Sequence, residues 1–361
     1  MNPNERSAQR FFSALVDVCP APLINHVYLC NQSVNNNQFL IHSMVDNGFK
    51  GTLVAARASI AKSSRDLNRD LSVVLSDHPS NSEKAEHILL ELNQGREAAR
   101  MTIEAALEAI SDSGQVWIFG NQESGIVSIA KRFSSCKTAL YKGHLRLISL
   151  TKNSKYQEKT GKKRNKKHTP TLDDEGFCQI DYKGLPIISR PGVFSWQEPD
   201  PASILLLDAM EKLDIDPGPT VLDWGCGSGL LSAALAQRWP SCHFTLSDDQ
   251  FSAVRCAKKT MGINRLEQRS LVVAEDGIGP TLEEKKFSTI ISNPPFHRGV
   301  RTDFQAAELF IKNATAILAK NGSIWLVGNR FLNYEKQLAK VLKHVEVVAN
   351  NSTFSVIRGW Q

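Results

Sequence analysis

Through the second half of the chain, solid apolar runs alternate with stretches in which apolar residues return every three or four positions. The runs TVLDWG, HFTLSD, SLVVAE, FSTIISN and SIWLVGN have the length and branched content of strands buried on both faces. Between and after them, residues 202–213, 229–238, 250–260, 303–319 and 333–343 carry the helical period. A last antiparallel pair is expected around VEVVA and FSVIRG. Strand and helix in alternation predict right-handed crossovers and an α/β, doubly wound, Rossmann-like sheet that binds its ligands at the C-terminal strand ends.

The same pattern occurs in the first half. Residues 98–121 align without gaps to 306–329, with 8 of the 24 positions identical, and each segment reads as an amphipathic helix, a glycine stop and a buried strand. LSVVLSDHP (71–79) resembles FSTIISNPP (287–295) in the same way. On that alignment Asp77, His78 and Pro79 stand where the second half has Asn293, Pro294 and Pro295, and VYLCNQS (27–33) stands where it has a glycine-rich turn. Two tandem Rossmann-like domains are therefore expected, with the N-terminal copy degenerate and serving to grip the substrate or as a scaffold.

Composition narrows the class. The chain has 361 residues, 42% hydrophobic and 22% charged, enough for two cores. No apolar run reaches membrane-spanning length, and the N-terminus reads poorly as a signal peptide. The seven scattered cysteines include no C-x-x-C pair, so reduced thiols in a cytoplasm and no metal site are expected. The net charge of +6 is concentrated in residues 152–168, where eight Lys or Arg face one Glu. This predicts a domain at 1–150, a basic linker at 151–175 and a second domain at 176–361. Lys162, Lys163, Arg164, Lys166 and Lys167 are candidate contacts to a phosphate backbone.

The chemistry collects at the strand ends of the second half. VLDWGCGSG breaks into a turn at Gly225, Cys226, Gly227 and Gly229 that brings backbone against a ligand and frees helix N-terminal amides. Asp223, just above it, would repel a pyrophosphate but pair with an ammonium, which favours S-adenosyl-L-methionine over a dinucleotide. Asp248, ending the next strand, suits a ribose diol, with Asp249 as the neighbour that could replace it, and Glu275 or Asp276 ends the third beside the adenine position. At the end of the fourth, the Asn293 amide oxygen and the Pro294 carbonyl are placed to accept both hydrogens of an exocyclic amine, with Pro295 stiffening the turn and Phe296 stacking on the ring. Holding both hydrogens turns the nitrogen lone pair toward an electrophilic methyl, which is catalysis by orientation. His297 lines the base pocket or relays a proton.

Together IISNPPFHRG, PGVFSWQEPDPAS, VLDWGCGSG and ALYKGHL resemble the bacterial ribosomal RNA small subunit methyltransferase C family, guanine-N2 methyltransferases of 16S rRNA. The resemblance implies tandem class I methyltransferase domains with only the C-terminal copy catalytic, and a cytoplasmic enzyme acting on ribosomal RNA or the small ribosomal subunit, as a monomer. It also implies that Asp200 and Ser203, after GVFS, lie over the cofactor, with Ala202 where glycine is usual. Guanine-N2 methylation of 23S rRNA, methylation of adenine or of a protein glutamine, and an inactive ribosome assembly factor remain as alternatives. A damaged cofactor site would mark the last of these, and the residues above form a complete one.

Overall fold

The structure is a computed structural model that describes residues 14, 18, 24–30, 50–67, 72–80, 84–92, 95–142, 145–158, 170–294 and 300–361. It divides into two compact units, Met1–His168 and Thr169–Gln361. The first contains β1 (Ile24–Cys30), β2 (Lys50–Ala55), α1 (Ala58–Leu67), β3 (Ser72–Leu75), β4 (Ala85–Glu91), α2 (Arg96–Ala109), β5 (Ile110–Asn121), α3 (Ile126–Ala130), β6 (Lys137–Lys142) and β7 (Leu145–Thr151). The second opens with a hairpin, β8 (Cys178–Tyr182) and β9 (Leu185–Ser189). It continues with α4 (Pro201–Leu213), β10 (Thr220–Trp224), α5 (Leu230–Arg238), β11 (His243–Asp248), α6 (Phe251–Ile263), β12 (Ser270–Ala274), α7 (Pro280–Glu283), β13 (Phe287–Ser292), α8 (Val300–Ala316), β14 (Leu318–Asn329), α9 (Tyr334–Leu338), β15 (His344–Asn350) and β16 (Phe354–Trp360).

Each unit holds a seven-stranded sheet, ordered β3-β2-β1-β4-β5-β7-β6 in the first and β12-β11-β10-β13-β14-β16-β15 in the second. The two orders are the same when strands are counted from the start of each sheet. In both, five parallel strands are followed by an antiparallel hairpin at one edge. Residues along the central strands of the second unit point alternately to two helical layers. Val221 and Ile291 meet Leu206, Leu207, Leu231 and Leu235 of α4 and α5, while Leu222 and Ile290 meet Ala307, Ile311 and Ala314 of α8. Both faces are covered, so these strands read as unbroken apolar runs.

Strand register fixes which residues correspond. β5 and β14 match along the aligned 98–121 and 306–329 segments, and their glycines, Gly114 and Gly322, lie inside the strands rather than ending helices. The ladder slips there in both copies, between Ala85 and His87 and between Phe287 and Thr289. A Cβ on either glycine would come within 2.9 Å of a neighbour, so the irregularity excludes a side chain.

The partner of β5 is β4 and the partner of β14 is β13, so the segment equivalent to FSTIISNPP is AEHILLELN. SVVL (72–75), from the segment expected there, forms the outer strand β3. Trp117 pairs with Leu89 as Trp325 pairs with Ile291, which places Glu91 opposite Asn293. Asp77 falls instead opposite Asp276, just beyond the outer strand. Similar short apolar strands with a polar ending had made the two alignments indistinguishable by sequence.

Other expectations need correction as well. The basic linker is shorter than residues 151–175, because both of its ends are folded onto the units. Lys152 Nζ donates to the carbonyls of Leu107, Glu108 and Ile110 at 2.9, 3.0 and 3.1 Å, and the Tyr156 ring meets Phe133 edge-on. On the other side Asp173 accepts the amides of Glu175 and Phe177 in a local turn, and Glu175 pairs with Arg255 and Lys259 of α6 at 3.6 and 3.2 Å. The helix expected over 333–343 is confined to α9, and the β8–β9 hairpin was not anticipated. That hairpin packs on α6, with the Ile188 amide donating to Thr260 Oγ1 and Asn264 Nδ2 donating to the Pro186 carbonyl.

Candidate active site

β10 runs apolar until Asp223, then breaks because Gly225, Gly227 and Gly229 all have positive φ, at 77°, 54° and 81°, a conformation that costs other residues steric strain. The amides of Gly225 and Cys226 donate to the Ser247 carbonyl, which fastens the turn to β11. Gly227 N–H donates to Asp248 Oδ2 at 2.9 Å, and Gln250 N–H to Asp248 Oδ1 at 2.8 Å. Asp248 therefore shapes the turn as well as ending its strand. Cys226 contributes backbone only: its thiol is buried, and burial beside Asp248 and Asp223 pushes its pKa up.

Asp223 is fully buried. Its Oδ2 accepts from Ser232 Oγ at 2.7 Å and Ser232 N–H at 3.2 Å, in the first turn of α5. Its Oδ1 is buried without a hydrogen-bond partner. Burial drives the carboxyl pKa up to about 7, against the pull of the two Ser232 bonds. An orphaned acceptor of this kind suits a ligand that brings a cationic donor, such as the ammonium of an amino-acid cofactor. Sequence reasoning missed Ser232; its signal was one hydroxyl on an otherwise apolar helix face.

Glu275 and Asp276 follow β12. Glu275 Oε1 accepts the Thr281 amide at 2.9 Å, which pins the α7 turn, while Oε2 is buried without a partner. Asp276 is exposed. Gln250, also missed, links this region to the loop after β9: its Nε2 donates to the Gly192 carbonyl at 2.9 Å and to Ser252 Oγ at 2.8 Å.

Asp200 and Ser203 stand at the start of α4, where Asp200 is the N-cap. Its Oδ2 accepts the Ser203 amide at 2.8 Å. The same oxygen accepts from Asn293 Nδ2 at 2.8 Å, and Ser203 Oγ accepts from Nδ2 at 3.0 Å. A carboxylate has only acceptors to offer, so the amide nitrogen must be the atom facing it. Both amide hydrogens are thereby used and Oδ1 is turned away from them as an acceptor. The resemblance implies that Asp200 and Ser203 lie over the cofactor; in the structure they also orient Asn293. Pro294 is buried behind it, and Ser292 Oγ donates to the Trp224 carbonyl at 2.5 Å, holding the ends of β13 and β10 together. Pro295, Phe296, His297 and the five cations from Lys162 to Lys167 lie outside the described residues.

Comparison with known proteins follows the same lines. The family model Methyltransferase small domain matches residues 184–358. The ribosomal RNA small subunit methyltransferase C of Pseudomonas aeruginosa (strain LESB58) is 32% identical over 252 residues, covering 70% of this chain and 72% of that protein. The protein of the same name from Pseudomonas entomophila (strain L48) is 32% identical over 273 residues, covering 75% and 77%. Among solved structures, the T. thermophilus 16S rRNA N2 G1207 methyltransferase in complex with AdoMet and guanosine has a TM-score of 0.76 at 21% identity, covering 100% of this chain and 92% of that one. At that identity the likeness carries the fold.

Proposed function

The chain belongs to the ribosomal RNA small subunit methyltransferase C family, and from that membership we propose that it transfers a methyl group from S-adenosyl-L-methionine to the N2 amine of a guanine in 16S rRNA. The guanine is the one named for the T. thermophilus protein, G1207. The observation that carries the amine-directed reading is the fixed direction of the Asn293 amide. With Nδ2 anchored on Asp200 and Ser203, Oδ1 is held as an acceptor and cannot swing to become a donor.

The cofactor supplies an electrophilic methyl on a sulfonium centre. Around it, Asp223 and the turn at Gly225, Gly227 and Gly229 receive the amino-acid end, Asp248 takes the ribose, and Glu275 with Asp276 borders the adenine. Asn293 Oδ1 and the Pro294 carbonyl hold the two hydrogens of the amine, so the nitrogen lone pair stands out of the ring plane. The acceptors then stabilise the positive charge that grows on nitrogen, and no strong base is needed. Phe296 stacks on the base and His297 borders it. The basic segment holding Lys162, Lys163, Arg164, Lys166 and Lys167 follows the phosphate backbone. Among the described residues no helix is long and apolar enough to cross a membrane, and the ribosomal substrate places the reaction in the cytoplasm.

The direct test is nucleoside mass analysis of small subunits and of deproteinised 16S rRNA, before and after incubation with protein and cofactor. N2-methylguanine should appear at one position. Methylated adenine, or label in protein, would replace this reading with one of its alternatives, and no transfer to any acceptor would leave the assembly-factor reading.

A further inference from the structure

The degenerate unit has lost site residues, and at one edge it has gained others. From residue 124 to 157 the chain contains seven Lys or Arg and no Asp or Glu. This stretch includes α3 and the β6–β7 hairpin, and among the described residues β6 is the edge strand of its sheet. Lys137, Tyr141 and Lys142 are exposed, Tyr141 at 65%. Arg146, opposite Tyr141 on β7, lays its guanidinium 5.0 Å from the Tyr141 ring centroid. Among the described residues Lys131, Arg132, Lys137, Lys142 and Arg146 have no carboxylate partner.

The second unit is an internal control, because its β15–β16 hairpin has the same register down to the bulge, between Val347 and Ala349 as between Thr138 and Leu140. Reading across the ladders, Lys137 corresponds to Glu346, Tyr141 to Asn350, Lys142 to Asn351 and Arg146 to Ser355. Glu346 pairs with Arg358 at 3.4 Å. A lysine on an edge strand also discourages edge-to-edge aggregation, yet the second copy has one acid and two amides at the matching positions. The scaffold therefore does not demand the cations or the exposed ring.

We propose that the β6–β7 edge of the first unit is a docking surface for single-stranded RNA, in which Lys137, Lys142 and Arg146 meet phosphates and Tyr141 stacks on an unpaired base. Lys137 and Lys142 at the two ends of a strand of six residues, roughly 20 Å long, with Arg146 on the neighbouring strand, follow a linear polyanion, and a ring backed by a guanidinium is the platform that bases stack on. An acidic protein surface would use the cations and leave the ring without a purpose. The proposal rests on the substrate being RNA, which the nucleoside assay tests separately.

The test exchanges the edge for its own counterpart, with Lys137→Glu, Tyr141→Asn, Lys142→Asn and Arg146→Ser together in the full chain. Binding is followed by fluorescence anisotropy on a labelled, deproteinised 16S rRNA transcript and on intact small subunits, at three salt concentrations. The exchange should weaken transcript binding and lower the log–log salt slope by roughly 2 to 3, for three phosphate contacts. Tyr141→Ala alone should weaken binding about fivefold or more with the slope unchanged. Thermal melting and cofactor affinity should match the parent, since every substituted residue is exposed or replaced by the type present on the matching strand. Unchanged affinity and slope on both probes would overturn the proposal. So would a loss confined to intact subunits, which would identify a protein partner instead.

Discussion

The two sheets share strand order, edge hairpin and bulges, and they differ where strands end. Reading the ladders across, Asp223 corresponds to Tyr28, Asp248 to Ala55 and Asn293 to Glu91. Each exchange removes one element of the same site: the buried acceptor under the turn, the carboxylate that fastens the turn, and the oriented amide. Ala55 has no polar side chain to receive a glycine amide, so a turn like 225–229 would lack its anchor on that strand. The folding requirements of the sheet are met in both units because the apolar positions are kept. Chemistry in this architecture sits at the C-terminal ends of the strands and can be lost without loss of the fold.

The largest effect expected from this contrast is at Asn293. Asn293→Ala should lower turnover at saturating RNA by roughly a hundredfold or more, with cofactor affinity within a few-fold of the parent. Glu91→Gln, the matching change in the first unit, should leave turnover unaltered. Comparable losses from the two would mean that both units take part in the chemistry. Near-normal turnover in Asn293→Ala would remove the amine-holding role.

Asp200 should come next. Asp200→Ala removes the α4 cap and releases the Asn293 amide, for an expected loss of about tenfold in kcat. Asp200→Asn keeps an acceptor for both the Ser203 amide and Asn293 Nδ2, so it should recover most of that loss. A cap of ordinary structural value would show the same drop in stability and no selective drop in kcat. If Asp200→Ala lowered cofactor affinity and spared kcat, the expectation from the family resemblance, that this residue lies over the cofactor, would be the better one.

A smaller effect should come from Asp223, through pH. Its folded-state pKa of about 7 lies above the ordinary carboxylate value, so the ionised form is disfavoured by folding. Its contribution to stability is full below about pH 4 and is lost as pH rises through 7. An ammonium placed beside Oδ1 favours the ionised form and reverses that preference on binding. Cofactor affinity should therefore rise between pH 6 and 8, by no more than tenfold per unit, and then level off. Asp223→Asn should flatten the profile. Calorimetric titration should also find one cofactor per chain; two equivalent sites would show that Tyr28 and Ala55 have not abolished the first.

Much of this was legible in the sequence. The strands and helices of the second unit were visible because burial on both faces leaves unbroken apolar runs, and the glycine turn because three glycines in five residues serve no purpose in a core. The equivalence of Glu91 and Asn293 was hidden, since short apolar strands resemble one another and only the ladder between β4 and β5 decides which is which. Ser232, Gln250 and the turn of the Asn293 amide toward Asp200 were hidden for a related reason. Each depends on residues of different elements, Asp200 and Asn293 above all, being brought within hydrogen-bond distance by the fold.

The smallest expected effect tests whether the shared scaffold is also energetically shared. Lys84, just before β4, donates from Nζ to the Glu108 carbonyl at 2.7 Å, and Lys286, just before β13, donates to the Ala316 carbonyl at 2.5 Å. Both carbonyls lie in the last turn of the helix that precedes the fifth strand, α2 in one unit and α8 in the other. A cation there satisfies an orphan acceptor and the negative end of the helix dipole, for about 0.3 to 1 kcal/mol at an exposed site. The units differ in one respect: Glu108 also receives Lys152, and the residue matching Lys152 on the second sheet is Gln361. Lys286→Ala should therefore cost its helix end more than Lys84→Ala costs the other, with Lys84→Ala and Lys152→Ala together restoring parity. Hydrogen exchange resolved to the last turns of α2 and α8 separates the two units within one full-length chain. Equal losses from the two single changes would show that Lys152 adds nothing to the cap, and that the folded start of the basic segment is held by its other contacts, the Tyr156 ring on Phe133 and the amides of Lys155 and Gln157 on Ser134 and Arg132.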